Sequence, residues 1–436
     1  MIAWTGSYAV PAGTDPVAIS VQVSGRTASV AFGDGHAVST TVALGRNGTR
    51  VRFAFPGLPS NLLFDGTVKR NAWSGTVRQG KLRGSFTLRR RASRILPLLG
   101  LYRGPRGTAV TIVQPEGGLP PWLIELPSGT THGIGASLTV GEKLGDKSGN
   151  GAIAADAKGF TWNGTHYARV RLRQREVRVG VDAATLTLPP GRGPFPAVAM
   201  VHGSGEHTRS EFQVFAAYCE LLGIAVLADD KRGNGQSLGE YPGEFASDST
   251  IKVLAHDAEV EARFLAKLPS IDPKRVGLLG DSQAGWIIAF AAAHEPAVRW
   301  AVPIVGPTVT VDQTDTWGDL AGKSESPPSA SQAEMLRQTR AAGDGGFDPR
   351  PWLARLTIPV FWTFGADDRN VPTVLCVEAL EALKPGHDFS WVVIPTTHTP
   401  IVLPNGLYSS LAQSPGFHPD FFPAIGNWFR SRRISG

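Results

Sequence analysis

Cysteine is nearly absent. Cys219 and Cys376 are the only two in 436 residues, so no disulfide framework can be built and no pair stands at metal-ligand or redox spacing. Both fall in expected helices far apart in sequence and read as buried free thiols. Long apolar runs are missing too: none approaches the roughly 20 residues of a membrane helix, so no membrane span is expected. Residues 1–10 lack a basic region followed by an apolar core, and no secretory signal is visible. The expectation is a soluble chain, cytoplasmic or secreted with its leader removed. Nor is one charge in large excess. Lys and Arg outnumber Asp and Glu by 43 to 37, a net +6 too dilute to be a nucleic-acid footprint. The densest basic run, Arg89, Arg90, Arg91 and Arg94, reads as a solvated linker. No strand is followed by the Gly-x-Gly-x-x-Gly fingerprint of nicotinamide and flavin sites, and no cofactor is expected.

What is there begins with period-two alternation. Val17, Ile19, Val21 and Val23, a turn at Ser24-Gly25, then Ala28, Val30 and Phe32 predict a hairpin, and a second comes next with its hinge at Asn47-Gly48. Three near-repeats centred on Gly66, Gly75 and Gly84 suggest a meander whose strands are approached closely at one height. Residues 1–92 are therefore expected to be an antiparallel β domain. A second β-rich segment, 97–175, has a turn at Asn163-Gly164 and either continues the first or stands apart.

From Val177 the pattern changes. Apolar strands expected at 197–201, 224–228, 276–279, 301–305, 360–364 and 389–394 alternate with helical stretches, the signature of a doubly wound, mostly parallel sheet in 176–436. One helix face is read as Phe212, Phe215, Ala216 and Leu222; another as Val253, Val260, Phe264, Leu265 and Leu268. In such sheets ligands bind beyond the carboxyl ends of the strands, so chemistry is sought just after each one.

After 276–279 comes Gly280-Asp281-Ser282-Gln283-Ala284-Gly285, leading into an apolar helix. A serine on a tight strand-to-helix turn is forced above the sheet edge, and its neighbours must be small. The helix N-terminus favours negative charge developing there. After 197–201, His202-Gly203-Ser204-Gly205 can present backbone N–H groups to an oxyanion, and the N–H of Gln283 with that of Ser204, or Gly203, is the expected pair. A serine hydroxyl needs a base and the base an orienting acid. Asp367 and Asp368 come after the strand at 360–364, and His398 after the one at 389–394.

These segments, with Asp230-Lys231-Arg232-Gly233 after the strand at 224–228, resemble the bacterial carboxylesterase branch of the α/β-hydrolase superfamily. The likeness runs from about Val177 to the C-terminus, and members of that branch often carry a β-rich N-terminal region. It implies an α/β-hydrolase sheet, a Ser282–His398–Asp368 triad and acyl transfer on a small-molecule ester. In the family the acid stands two residues before Val-Pro, which selects Asp368 over its neighbour Asp367. Ala284 replaces the usual glycine. Asp230 and Arg232 read as an internal ion pair shaping their turn, while Arg209 and Glu211 are placed to approach an acyl group or to cap a helix. Superfamily members commonly carry a cap at 306–350, where Trp317, with Trp286 and Trp352, would form an apolar wall setting substrate size.

Other histidines read otherwise. His202 holds its own loop, His387 lies at the wrong end of its strand, and His207 with Glu206 lacks a second ligand pair, so no metal is expected. Serine at the elbow argues against haloalkane dehalogenase chemistry. Amide hydrolysis of the prolyl oligopeptidase type and thioester hydrolysis are the enzymatic rivals; the stretch before Val177 is too short for about seven propeller blades of ~40 residues. The rival outside catalysis is a silent protein whose β region binds a polymer or partner.

Overall fold

The computed structural model describes residues 2–10, 17–24, 27–32, 37–44, 50–55, 62–69, 72–91, 95–115, 120–135, 137–146, 149 and 151–435. The chain divides into two compact units: Met1–Leu99 with Gln114–Pro121 and Ala136–Leu138, and Gly100–Val113 with Trp122–Gly135 and Thr139–Gly436. No helix among the described residues is long and apolar enough to cross a membrane.

In the first unit, eight antiparallel strands from Ile2–Ala9 to Leu82–Arg91 form a closed barrel, the last pairing back onto the first. Alternation sorts its side chains: Leu62 and Phe64 are buried while Leu63 between them is exposed. Trp4, Phe64, Trp73 and Phe86 fill the interior, with Trp73 and Phe86 edge to face at 5.7 Å. Closure, which removes both sheet edges, does not emerge from the alternation. The three repeat glycines do not share one height: Gly66 faces Gly75, but Gly84 faces Val77. The turn at Ser24-Gly25 lies partly, and Asn47-Gly48 and Arg94 wholly, outside the described residues.

The second unit opens with an antiparallel sheet ordered Thr131–Gly133, Trp122–Leu126, Ala109–Val113, Gly100–Arg103, Thr165–Arg169, Gly159–Trp162 and Ala154–Ala155. Asn163 (φ 46°) and Gly164 (φ 72°) make the expected tight turn between Trp162 and Thr165. Long-range bonds tie this region to the remainder of the unit, among them Arg103 donating to Leu221 O and the N–H groups of Gly145, Thr131 and Leu144 donating to the carbonyls of Ala412, Pro415 and Ser414.

The main sheet has eight strands: β1 (Arg173–Val179), β2 (Asp182–Leu188), β3 (Phe195–Val201), β4 (Ala225–Asp229), β5 (Ile271–Asp281), β6 (Trp300–Ile304), β7 (Val360–Gly365) and β8 (Phe389–Ile394). Their order is β1-β2-β4-β3-β5-β6-β7-β8, with β1 and β2 antiparallel and β3 to β8 parallel. β3, β4 and β6 are buried along their whole length, as a sheet covered on both faces requires.

The helices are α1 (Gln213–Leu221), α2 (Asp248–Ala266), α3 (Ala284–His294), α4 (Val311–Ala321), α5 (Gln332–Ala341), α6 (Arg350–Leu353), α7 (Thr373–Leu383) and α8 (Phe421–Ser431). Cys219 on α1 and Cys376 on α7 are free and buried. The face expected for α2 needs correction. Leu265 is buried as expected and Val260, Phe264 and Leu268 pack partly buried against the core, but Val253 is 39% exposed, and the helix also buries Ile251, Leu254, Ala255, Ala258, Glu261 and Ala262. Alanines let α2 lie close to the sheet, so the buried stripe tracks the small residues and carries a carboxylate with it. Residues 306–350 hold α4 and α5, and α4 starts at a capping box between Thr310 and Gln313.

Candidate active site

Between β5 and α3 the chain turns within two residues, and Ser282 sits there at φ 55°. A non-glycine residue in that left-handed region costs roughly 1–3 kcal/mol. The turn is pinned by the Ser282 N–H donating to Ile304 O on β6 at 2.9 Å. It also needs bare backbone: a Cβ at Gly280 would fall 2.0 Å from Val201 O, and one at Gly285 2.6 Å from the Gly306 Cα. Ala284 is wholly buried in this turn, so a methyl group fits where the related pattern has glycine.

His398, on the loop after β8, points its Nε2 at Ser282 Oγ at 2.9 Å. Its Nδ1 lies 3.0 Å and 3.1 Å from the two oxygens of Asp368. Asp368 is 2% exposed, and its Oδ1 also accepts the N–H groups of Asn370 (2.8 Å) and Val371 (2.9 Å). Asp367 is exposed and lines a different cavity from the one that holds Ser282 and His398. Burial pulls the His398 pKa down, but the adjacent Asp368 carboxylate more than offsets this and holds it above 6.5.

A cavity of about 320 Å³ opens at this point, with Ser282, His398, Ser204, Gln283 and Trp286 in its wall. Neither the Gln283 nor the Ser204 N–H is engaged in a hydrogen bond among the described residues, and Gln283 caps the N-terminus of α3. Gly203 lies just behind; a Cβ there would be 3.4 Å from that of Ser282. Trp286 is held by its indole N–H donating to Val309 O at 2.9 Å. The 306–350 segment contributes Val311, Thr314, Asp315 and Lys323, so this wall is partly polar.

Three expected substrate contacts, Trp317, Trp352 and Arg209, are elsewhere. Trp317 is 7% exposed, lines a separate cavity of about 470 Å³, and donates its indole N–H to Asp368 O at 2.9 Å. It braces the acid's loop. Trp352 packs on Phe290, with ring centroids 4.7 Å apart, and is not in the Ser282 cavity wall. Arg209 forks onto Asp230 at 2.9 Å and 3.0 Å and reaches Glu176, Thr185 and Ala183 O, which uses its donors for fastening β1, β2 and the loop after β4. Asp230 and Arg232 are not paired with each other: Arg232 forks onto Asp257 at 2.6 Å and 2.7 Å.

His202 keeps the expected loop-holding place, between Glu211 Oε2 (2.8 Å) and Asp229 O (2.9 Å). Both partners accept, so both ring nitrogens donate and the ring is an imidazolium; although burial opposes it, Asp229 and Glu211 push its pKa up to about 10. His207 faces Ser204 O at 2.5 Å, and His387 is bound to Leu383 O and Ala354 O.

Lys231 escapes a reading of the sequence. It is 3% exposed, and its ammonium donates to Gly203 O (2.6 Å) and Gly205 O (3.0 Å), bracing the glycine loop from below. Burial lowers its pKa to about 8. Its position between Asp230 and Arg232 is the only hint in the sequence, because the loop it braces comes after a different strand.

The strand order and the serine at the β5 turn define the α/β-hydrolase fold, here preceded by antiparallel β-rich regions. No family model matches the chain, and no curated protein does. Among solved structures it is similar to a 2,6-dihydroxy-pseudo-oxynicotine hydrolase, with 21% identity over 53% of this chain and 62% of that one and a TM-score of 0.38. It is also similar to an esterase of Pyrococcus furiosus (14% identity, 60% of this chain and 90% of that one, TM-score 0.43) and to dienelactone hydrolase from Anabaena variabilis (18%, 60% and 98%, 0.38). The chain thus spans less than two thirds of the first of these. The fold assignment rests on the strand order, and no residue role is carried over from any of them.

Proposed function

We propose that this protein is a serine carboxylic-ester hydrolase of the bacterial carboxylesterase type, acting on a small ester. The observation that carries the reading is the unbroken line from Ser282 Oγ through His398 to Asp368, with links of 2.9 Å and 3.0 Å. Ser282 Oγ attacks the ester carbonyl while His398 Nε2 takes its proton; Asp368 holds the ring in the tautomer that leaves Nε2 free to accept. The carbonyl oxygen, now negative, is received by the N–H groups of Gln283, at the start of α3, and Ser204, on the loop after β3. His398 returns the proton to the departing alcohol. Water, activated by the same ring, then releases the acid and restores Ser282.

A cavity of about 320 Å³ suits a small ester, and the cap residues Val311, Thr314, Asp315 and Lys323 are the ones that select it. A fluorophosphonate probe should label Ser282 stoichiometrically, and a panel of nitrophenyl esters should be turned over far faster than aminoacyl anilides. Folded protein that resists the probe would end the serine mechanism. Faster anilide turnover would replace the ester by an amide.

The pH dependence derives from His398. The base works only when neutral, so kcat/KM falls as pH drops through its pKa in the free enzyme. Because Asp368 holds that pKa above 6.5, the acid limb should have its midpoint above 6.5. A profile of kcat/KM for nitrophenyl acetate across the acid and neutral range measures it, and a midpoint below 6.5 would contradict the assignment.

A further inference from the structure

Below the loop after β4, away from Ser282, acidic side chains converge from elements distant in sequence. Asp182 opens β2, Asp229 closes β4, and Glu261 lies on the buried face of α2. They are 2%, 6% and 3% exposed, and one carboxylate oxygen from each lies within 4.8 Å of the other two. Clustering alone would mean little. Here Asp182 Oδ1, Asp229 Oδ1 and Glu261 Oε1 are buried without a hydrogen-bond partner, and the three residues line one cavity of about 30 Å³. That is room for a single ion or water.

The nearby cations are occupied elsewhere. Arg232 is forked onto Asp257, and Lys231 donates upward to Gly203 O and Gly205 O. His202 Nε2 donates to Asp229 O and stands 3.4 Å from Asp229 Oδ1. None of the described ion pairs reaches Asp182 or Glu261. Only Asp229 has a cation close by, the His202 ring at 3.4 Å, so the three desolvated carboxylates outnumber the charge that faces them, repel one another and are costly to bury.

We infer that Asp182, Asp229 and Glu261 bind one hard divalent cation, Ca²⁺ or Mg²⁺. The donors are all oxygen, which suits these ions and offers nothing to a thiophilic metal. Such an ion fastens β2, β4 and α2 together beneath the loops of His202 and Lys231. Its role is structural. It takes no part in the acyl-transfer steps, and its test does not depend on them.

Wild-type protein treated with a chelator and dialysed should be titrated calorimetrically with CaCl2 and with MgCl2, and its thermal unfolding monitored at matched ionic strength. One equivalent of at least one ion should bind, and saturation should raise Tm by on the order of 5 °C, whereas NaCl should not. Glu261→Gln and Asp182→Asn should each weaken binding at least tenfold and lose that shift. No binding and no shift with either ion in wild type would overturn the inference whether or not the variants fold. So would an undiminished shift in Glu261→Gln, which would put the ion elsewhere. A Glu261→Gln protein more stable than wild type in the absence of added metal, with no cation response in either, would mean that shared protons hold the cluster.

Discussion

Replacing Ser282 by alanine is expected to lower kcat for nitrophenyl esters by roughly six orders of magnitude while leaving the fold in place. In the proposed mechanism the Ser282 oxygen becomes bonded to the acyl group, and no other hydroxyl or thiol among the described residues lies within hydrogen-bond distance of His398. Its loss opens no core cavity, so Tm should move by no more than about 2 °C. A companion variant separates chemistry from strain. Glycine adopts φ 55° freely, so Ser282→Gly should be equally inactive but more stable than the alanine variant by roughly 1 kcal/mol. Active-site titration, kinetics and calorimetry on both proteins test the two halves separately. Turnover in Ser282→Ala above that of a mock preparation would remove Ser282 from the mechanism.

Asp368→Asn should cut kcat by about four orders of magnitude, and the hydrogen bonds around it say how. Asp368 Oδ1 already accepts the N–H groups of Asn370 and Val371, so an asparagine must keep its carbonyl oxygen there. Its NH2 group then takes the place of Oδ2, 3.0 Å from His398 Nδ1. That geometry requires Nδ1 to accept. The ring proton moves to Nε2, which then donates toward Ser282 Oγ and cannot take its proton. Asp367→Asn, at an exposed site outside this network, should change kcat less than about threefold. The opposite ranking of the two would transfer the orienting role to Asp367. Because Trp317 braces the backbone carbonyl of Asp368, shortening it bears on the acid's position and not on ester chain length, which departs from the role its sequence position suggested.

How much of this was legible in the sequence depends on the range of each interaction. Ser282, His398 and the pair Asp367 and Asp368 stood out as candidates because each sits on a loop directly after its own strand, the preference for Asp368 came from the family resemblance alone, and the small residues at Gly280, Ala284 and Gly285 mark a turn whose packing demands are local. Alternation likewise announced the strands of the first unit, and the dipeptide Asn163-Gly164 announced a turn of the second. Closure of the barrel was not written there, since alternation sorts faces and says nothing of which strand pairs with the last. The α2 stripe was read only in part: Leu265 is buried and Val253 is not, and the small Ala255, Ala258 and Ala262 that let the helix approach the sheet were not counted. Lys231 under the glycine loop, Arg209 on Asp230, and the meeting of Asp182, Asp229 and Glu261 depend on β4 lying between β2 and β3. Local sequence therefore determined where the proposed reacting groups stand along the chain. Strand order, a product of burying the whole sheet at once, decided which charges were left facing one another inside it.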